Sequence, residues 1–341
     1  MMTSRERIAA TLNFSLSKGE RLPRHLWTQP RTEQNWPGQP AAVRARFPED
    51  LAVAPMLLKQ PLSTIRLGNP HQVGTYVDEW GCVFENILSG MVGEVKTPIV
   101  DDWSDTSRVH IPVEALAVDV DAVNEYCRAT DRFVLAGTDP RPFERLQFIR
   151  GTEALFVDLA LEDEGVLAFL KRMHAFHLEE LAIWCRTEVD GLFIMDDWGT
   201  QNGLLINPVM WRKIFKPLYK DYIDLAHAHG KKIFMHSDGN ILEILPDLIE
   251  LGLDAINSQI FCMGLEKLSA FKGKITFWGE MDRQRILPFG TVDEVTRAVH
   301  EFYYALFANG GIIAQCTFDP TARPENVFAL YAAWDSVSQA K

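Results

Sequence analysis

A (β/α)8 barrel with a β meander inserted near its mouth is the fold this sequence predicts, and three observations predict it. Short apolar runs alternate with long amphipathic segments along the whole chain. Eight such runs follow one another with no Gly/Ser-rich or Pro-rich linker between them, so a single domain over residues 1–341 is expected. The runs are close to continuously apolar, as strands of a parallel sheet covered by helices are.

The first segment, "MMTSRERIAATLNF", has no signal-peptide core and reads as an amphipathic helix capped by Thr3 or Ser4, which points to a cytoplasmic protein. Two weaker strand candidates follow, "RHLWTQ" (24–29) and "DLAVAP" (50–55). The stretch 58–115 then breaks the alternation, and its "TYVDEWGCVFENILSGMVGEVKTPIV" reads as strands inserted near the barrel mouth. Alternation resumes with "RFVLAGT" (132–138), a helix over 164–187 and "GLFIMDD" (191–197). A helix over 208–229 has Asn207 as its cap, Pro208 in its first position and Gly230 as its stop. "KKIFMHSD" (231–238), "DAINSQ" (254–259), "KITFWGE" (274–280), a helix over 291–308 and "GGIIAQC" (310–316) complete the pattern.

Composition narrows the partners. Apolar residues make up 47% of the chain, and no apolar run is long enough to span a bilayer. The net charge of −12, without any cluster of basic residues, argues against nucleic acid and anionic membrane and leaves a small-molecule substrate or a protein partner. The five cysteines are dispersed and never form a CxxC pair, as in a reduced intracellular protein.

A barrel demands that chemistry sit at the C-terminal ends of its strands. Those ends carry Asp196 and Asp197, His236 and Asp238, Asn257 and Gln259, Glu280, and Cys316. In "FMHSDGN" (234–240), His236 and Asp238 share a strand face. Either both face the mouth, or Asp238 or Asn240 caps the helix that follows. Cys316 is either a small core residue or, with His236 and Asp238, one of three ligands of a tetrahedral zinc site, Glu280 standing in reserve. In "MDDWGTQ", Asp196 and Asp197 with Trp198 and Gln201 either orient a polar substrate and move protons, or one aspartate closes a turn. "VDEWG" brings Asp78 into the insertion, as part of a lid or of the scaffold. "DPRPFERLQFIRG" supplies Arg145 and Arg150, either for ion pairs within the protein or for a substrate carboxylate.

Taken in order, "SRERIAATLNFSLSKGERLPRHLW", "VDEWGCVFE", "FERLQFIRGTEALFVDLA", "DDWGTQNGLLINPVMWRKIFKPLYKDYID", "HGKKIFMHSDGNILEILPDLIELGLDAINSQ", "FWGEMDRQRILPFGTVDEV" and "PENVFALYAAW" resemble the superfamily of uroporphyrinogen decarboxylase and the zinc-dependent methyltransferases that work with corrinoid proteins. The decarboxylase branch has an "RQAGR"-like arginine segment after its first strand, where this chain has "TQPRTEQ" with Arg31 alone, and a histidine near the position of Cys316. The methyltransferase branch is similar to this chain in its His-x-Cys and distant Cys, here His236-x-Asp238 and Cys316. The resemblance therefore implies methyl transfer between a small substrate and a corrinoid protein or thiol. It implies a zinc site of His236, Asp238 and Cys316, to which the reading of the strand ends adds Glu280 as a possible fourth ligand, Asp196, Asp197 and Gln201 as catalytic residues, and Arg145, Arg150, Trp198, Asp78 and Gln259 as substrate contacts. The corrinoid is expected on a separate protein, and a homodimer is a further implication. A cofactor-free decarboxylase of a carboxylated substrate, and a non-catalytic small-ligand-binding barrel, are the alternatives.

Overall fold

A computed structural model describes residues 2–17, 19–62 and 65–339, so residues 63 and 64 of the expected insertion lie outside the described residues. All eight expected strands are present: β1 (Arg24–Thr28), β2 (Leu51–Val53), β6 (Phe133–Leu135), β7 (Gly191–Met195), β8 (Lys232–Ser237), β9 (Ala255–Ser258), β10 (Thr276–Trp278) and β11 (Ile312–Phe318). They form one parallel sheet in the order β1-β11-β10-β9-β8-β7-β6-β2. The Asp50 N–H donates to the Arg24 carbonyl at 2.9 Å across the seam between β1 and β2, which brings the sheet round into a barrel. The three remaining strands, β3 (Gly74–Val77), β4 (Val83–Asn86) and β5 (Glu94–Val95), make the antiparallel meander expected within 58–115.

The barrel interior is filled by every second strand residue. Leu51, Leu135, Phe193, Phe234, Trp278 and Ile313 form one buried cluster, closed at the base by Ile8 and Leu12 of the helix Ser4–Leu12. Thr3 caps that helix in a capping box with Glu6. The alternate residues pack outward against the helices, and burying each large side chain there contributes about 1.5–3 kcal/mol.

Two helices depart from expectation. The span 208–229 is two helices, Pro208–Ile214 and Lys216–Ala228, because Pro217 has no N–H to bond the carbonyl four residues back. After β8 the helix starts only at Leu245, with no side-chain cap, and Asn240 instead accepts from the Leu242 N–H at 3.2 Å in a local turn.

The meander lies over the C-terminal end of the barrel. Arg31, just past β1, donates from its backbone to Gly90 at 3.2 Å and from its side chain to the Ser89 carbonyl at 3.0 Å. On the other side, Asp78 at the end of β3 forms a buried ion pair with Arg145 of the helix Pro142–Arg150. No described helix is long and apolar enough to cross a membrane.

Candidate functional site

Strand parity decides which residues reach the mouth. Phe193 and Met195 of β7 face the interior, so Asp197, two residues on, does so as well. Asp196 points the opposite way. It is fully buried and accepts from the Phe143 N–H (2.9 Å), the Glu144 N–H (2.8 Å) and the Tyr219 hydroxyl (2.7 Å). Burial pushes its carboxyl up to about 8, while those three donors pull the other way. Asp196 therefore anchors the first turn of the helix Pro142–Arg150, and the structure corrects its expected place beside the substrate.

On β8, Phe234 and His236 face inward. The loops that follow β7 and β8 cross at Gly199 and Gly239. A Cβ on Gly239, whose φ is +79°, would stand 2.2 Å from the Gly199 carbonyl carbon, so only glycine fits there. This crossing lets the Asp238 N–H donate to Asp197 Oδ1 at 2.8 Å. His236 Nε2 then lies 3.5 Å from Asp197 Oδ1 and 3.7 Å from Asp238 Oδ1, and three such ligand atoms lie within 4.8 Å of one another.

These separations are too long for direct hydrogen bonds, but they suit an ion held between the three atoms. Bonds of about 2.0–2.2 Å to nitrogen and oxygen around one centre put neighbouring ligand atoms roughly 3–3.5 Å apart. Asp238 Oδ1 is buried with no hydrogen-bond partner among the described residues, while Oδ2 of the same residue pairs with Arg283. Charge points the same way. Among the described residues, Arg283 is the one Arg or Lys ion-paired with Asp238, Glu280 and Asp319, and Asp197 adds a further carboxylate. A nitrogen and two oxygens suit zinc as well as harder divalent ions.

Asn257, on the interior face of β9, fixes how His236 is presented. Its Nδ2 donates to the Trp278 carbonyl, which can only accept, so its Oδ1 must face His236 Nδ1 at 2.6 Å. Nδ1 thus carries a hydrogen, and Nε2 is the nitrogen turned toward the two carboxylates, where the neutral imidazole would offer its lone pair to an ion. Asn257→Leu is expected to lower divalent-metal affinity by about 10–100-fold with the barrel intact, as read by calorimetric titration with zinc. An unchanged affinity would remove Asn257 from the site.

Cys316 does not join this cluster. The last strand runs on to Phe318, and its interior face carries Ile313, Gln315 and Thr317. Cys316 therefore points outward, fully buried in the layer between sheet and helices, where burial pushes its thiol well above the ordinary range. Facing away from the mouth, Cys316 does not reach Asp197, His236 and Asp238, and its outward orientation corrects its expected place as a ligand.

Glu280 does reach the site, but through Arg283, 3.4 Å away, and through the Thr317 hydroxyl, which donates to it at 2.6 Å. It is 2% exposed, and burial pushes it up to about 7. Gln201 donates to Gln259 at 2.8 Å, and both line a cleft of about 260 Å³ with Glu280 and Arg283. Of the remaining expected substrate contacts, Asp78 and Arg145 line a cavity that Asp197 also borders, whereas Trp198 and Arg150 do not line it. Trp198 is fully buried, stacked on Phe143 at 4.1 Å and donating to the Tyr219 hydroxyl at 2.8 Å. Asp78 and Arg145 satisfy each other, and Asp78 also accepts from the Trp80 and Cys82 N–H groups. Arg150 is bound to Asp158 and to the carbonyls of Val100 and Asp101. Three further residues complete the site: Asn257, read in the sequence as a strand end without a role, and Arg283 and Trp27, which the sequence does not single out; the Trp27 ring lies 5.2 Å from that of His236.

A parallel eight-stranded barrel with a histidine–carboxylate cluster at its C-terminal rim belongs to the class of barrels that work at that rim. The chain is a member of the uroporphyrinogen decarboxylase family: the model described as Uroporphyrinogen decarboxylase (URO-D) matches residues 80–337, well over half of it. Among solved structures, a methyltransferase from Methanosarcina mazei is similar over 99% of each chain, at 16% sequence identity and a TM-score of 0.66, a likeness of fold. A glycosylated endo-beta-1,4-xylanase of glycoside hydrolase family 10 from Gloeophyllum trabeum is similar over 64% of this chain and 79% of its own. Its 11% identity and TM-score of 0.41 are too low to bear on fold or function. No curated protein matches the chain.

Proposed function

We propose that this protein is a methyltransferase that moves a methyl group between a small substrate and a corrinoid carried on a separate protein, or a thiol, at a divalent metal held by Asp197, His236 and Asp238. The observation that carries the reading is the convergence of three ligand atoms at the barrel mouth, with His236 Nε2 turned toward the two carboxylates by the bond of Nδ1 to Asn257. The family, and the fold shared with a methyltransferase, support it. A divalent ion there, most simply zinc, would act as a Lewis acid toward the heteroatom that bears the methyl group.

The chain's own residues supply the rest. When the methyl group leaves, the electron pair of the broken bond stays on the heteroatom, which then takes up a proton. Glu280, enclosed between Thr317 and Arg283 at the edge of the cleft, is placed to give that proton. Gln201 and Gln259 orient a polar group at the rim. Asp197 serves as a ligand here, and Asp196 holds the helix behind it.

Glu280 gives the reading a pH signature. Its folded pKa of about 7 stands above the ordinary 4.5, so it is protonated, and able to donate, below about 7. The rate of demethylation is expected to fall with rising pH at or below about 7, because the charge of a bound divalent ion draws a neighbouring carboxyl down. Glu280→Gln should remove that limb and lower the rate by roughly 10²-fold or more. The same shift means that its contribution to stability is complete below pH 4.5 and lost as pH rises through about 7, a slope that the glutamine variant lacks.

The reading is tested by loading purified protein with zinc, adding reduced cobalamin and a panel of methyl ethers and methylamines, and following methylcobalamin in the visible spectrum. Formation that depends on zinc and on His236 is the expected result. Release of carbon dioxide from carboxylated substrates, with no need for metal or cobalamin, would instead assign the chain to the decarboxylase alternative. With Arg145 and Arg150 both satisfied internally, neither is free to hold a substrate carboxylate, which disfavours that outcome.

A further inference from the structure

Two side chains of the last strand form a chain that ends on Glu280. Gln315 and Thr317 both project from the interior face of β11, and both are buried. The Thr317 hydroxyl donates to Glu280 Oε1 at 2.6 Å. A hydroxyl has one hydrogen, so Thr317 Oγ can only accept from its other neighbour. That neighbour is the Gln315 amide, whose Nε2 donates to Oγ at 3.0 Å. The chain therefore runs in one direction, from amide to hydroxyl to carboxylate, and each bond strengthens the next.

The amide stands where an apolar side chain would be simpler. Its Oε1 is buried and has no hydrogen-bond partner among the described residues. The room it occupies is left open by Gly279, whose φ is +74° and where a Cβ would stand 2.3 Å from Oε1. A leucine at 315 would extend the apolar interior that Ile313 and Trp278 share, with no acceptor left unmet. What the glutamine supplies, and a leucine would not, is the hydrogen bond that aims Thr317.

We propose that Gln315 and Thr317 are positioning residues for Glu280: the amide aims the hydroxyl, and the hydroxyl holds Oε1, so that Oε2 is the oxygen left to the cleft. Oε2 lies 3.4 Å from Arg283 Nε, and both residues line that cleft. Other charged and titratable groups surround the carboxyl. Arg283 lies on its own loop, His236 and Asp238 at the end of β8, Cys262 past β9, Cys316 on β11, and Asp319 beyond it shares Arg283. Among the described residues none of these donates a hydrogen bond to Glu280, so Thr317 alone fixes how the carboxyl is turned. Delivery of the Glu280 proton to a substrate rests on the methyl-transfer reading, while the hold on the carboxyl does not.

Unfolding in denaturant across about pH 5–9, on full-length protein freed of metal by a chelator, tests the inference. In that protein the contribution of Glu280 to stability is lost as pH rises through about 7. Thr317 donates to the carboxylate and so favours its charged form. Thr317→Val should therefore move that loss to higher pH, by about one unit. Thr317→Ser should restore it, and Gln315→Leu should move it the same way by less. A merely structural role would lower stability equally at every pH. In a Glu280→Gln background, Thr317→Val should change no pH dependence. Should Thr317→Val fail to fold, Thr317→Ala takes its place. A pH dependence that stays put in either the Thr317 or the Gln315 variant, or that moves in the absence of Glu280, would overturn the inference. Movement as expected, with no methylcobalamin formed from any substrate, would overturn the methyl-transfer reading and leave this inference standing.

Discussion

On the proposed metal site, His236→Ala is expected to abolish divalent-metal binding, whereas Cys316→Ala leaves it unchanged. The histidine supplies the single nitrogen of the cluster, with Nε2 held toward Asp197 and Asp238 by Asn257. Its loss removes a direct ligand and leaves two carboxylates beside Asp319 and Glu280 with Arg283 alone to offset them. Affinity should fall by more than the roughly 10–100-fold that losing an outer hydrogen-bond partner costs. Cys316 faces the helix layer, so its replacement leaves a small cavity and lowers stability by about 1 kcal/mol without touching the ligands. Elemental analysis of the two variants beside the wild type distinguishes them. Stoichiometric metal in His236→Ala, or its loss in Cys316→Ala, would show that the ligand set has been assigned wrongly.

Asp196→Ala should be the most destabilising single change among the acidic residues near the mouth. One carboxylate satisfies two backbone N–H groups at the start of the helix Pro142–Arg150 and the Tyr219 hydroxyl, all in a buried setting. Removing it strands three donors, and at about 1–1.5 kcal/mol for each hydrogen bond the expected loss is roughly 3–4 kcal/mol in denaturant unfolding. Asp196→Asn keeps one oxygen and should lose less. Asp197→Asn, whose side chain is 36% exposed, should leave stability nearly unchanged and weaken metal binding instead. If the two positions exchange these phenotypes, the assignment of one to scaffold and the other to site is wrong.

The contrast between neighbours explains what could be read in the sequence. Apolar runs and helix stops disclosed all eight strands, because burial on both faces leaves a compositional trace. The inward turn of His236 was equally legible, since it stands two residues after Phe234. The same period of two, counted from Phe193, would have separated Asp197 from Asp196, yet the doublet reads as a single acidic patch until the strand is anchored. Cys316 was misplaced for the related reason that the apolar run seems to end there. The strand continues through Thr317 and Phe318, whose register with β1 is set by tertiary pairing. Asn257 and Arg283 left no signal beyond their position near strand ends. Their roles depend on the Trp278 carbonyl and on Asp238, which only the closed barrel brings near. Arg145 and Asp78 looked like substrate groups because sequence shows charge but not whether it is already matched.

That last pair has a consequence for how ligands come and go. Asp78 anchors the end of β3 and is 4% exposed, and separating it from Arg145 would leave a buried charge alone at about 3–5 kcal/mol. At its tip, Ser89 and Gly90 are held by Arg31 from the opposite side of the rim. Pinned at both places, the meander is an awning tied to the barrel at two points. On the proposed function, substrate would slide in under its eaves, and cutting either tie, by Arg31→Ala or Asp78→Ala, is expected to loosen that entrance.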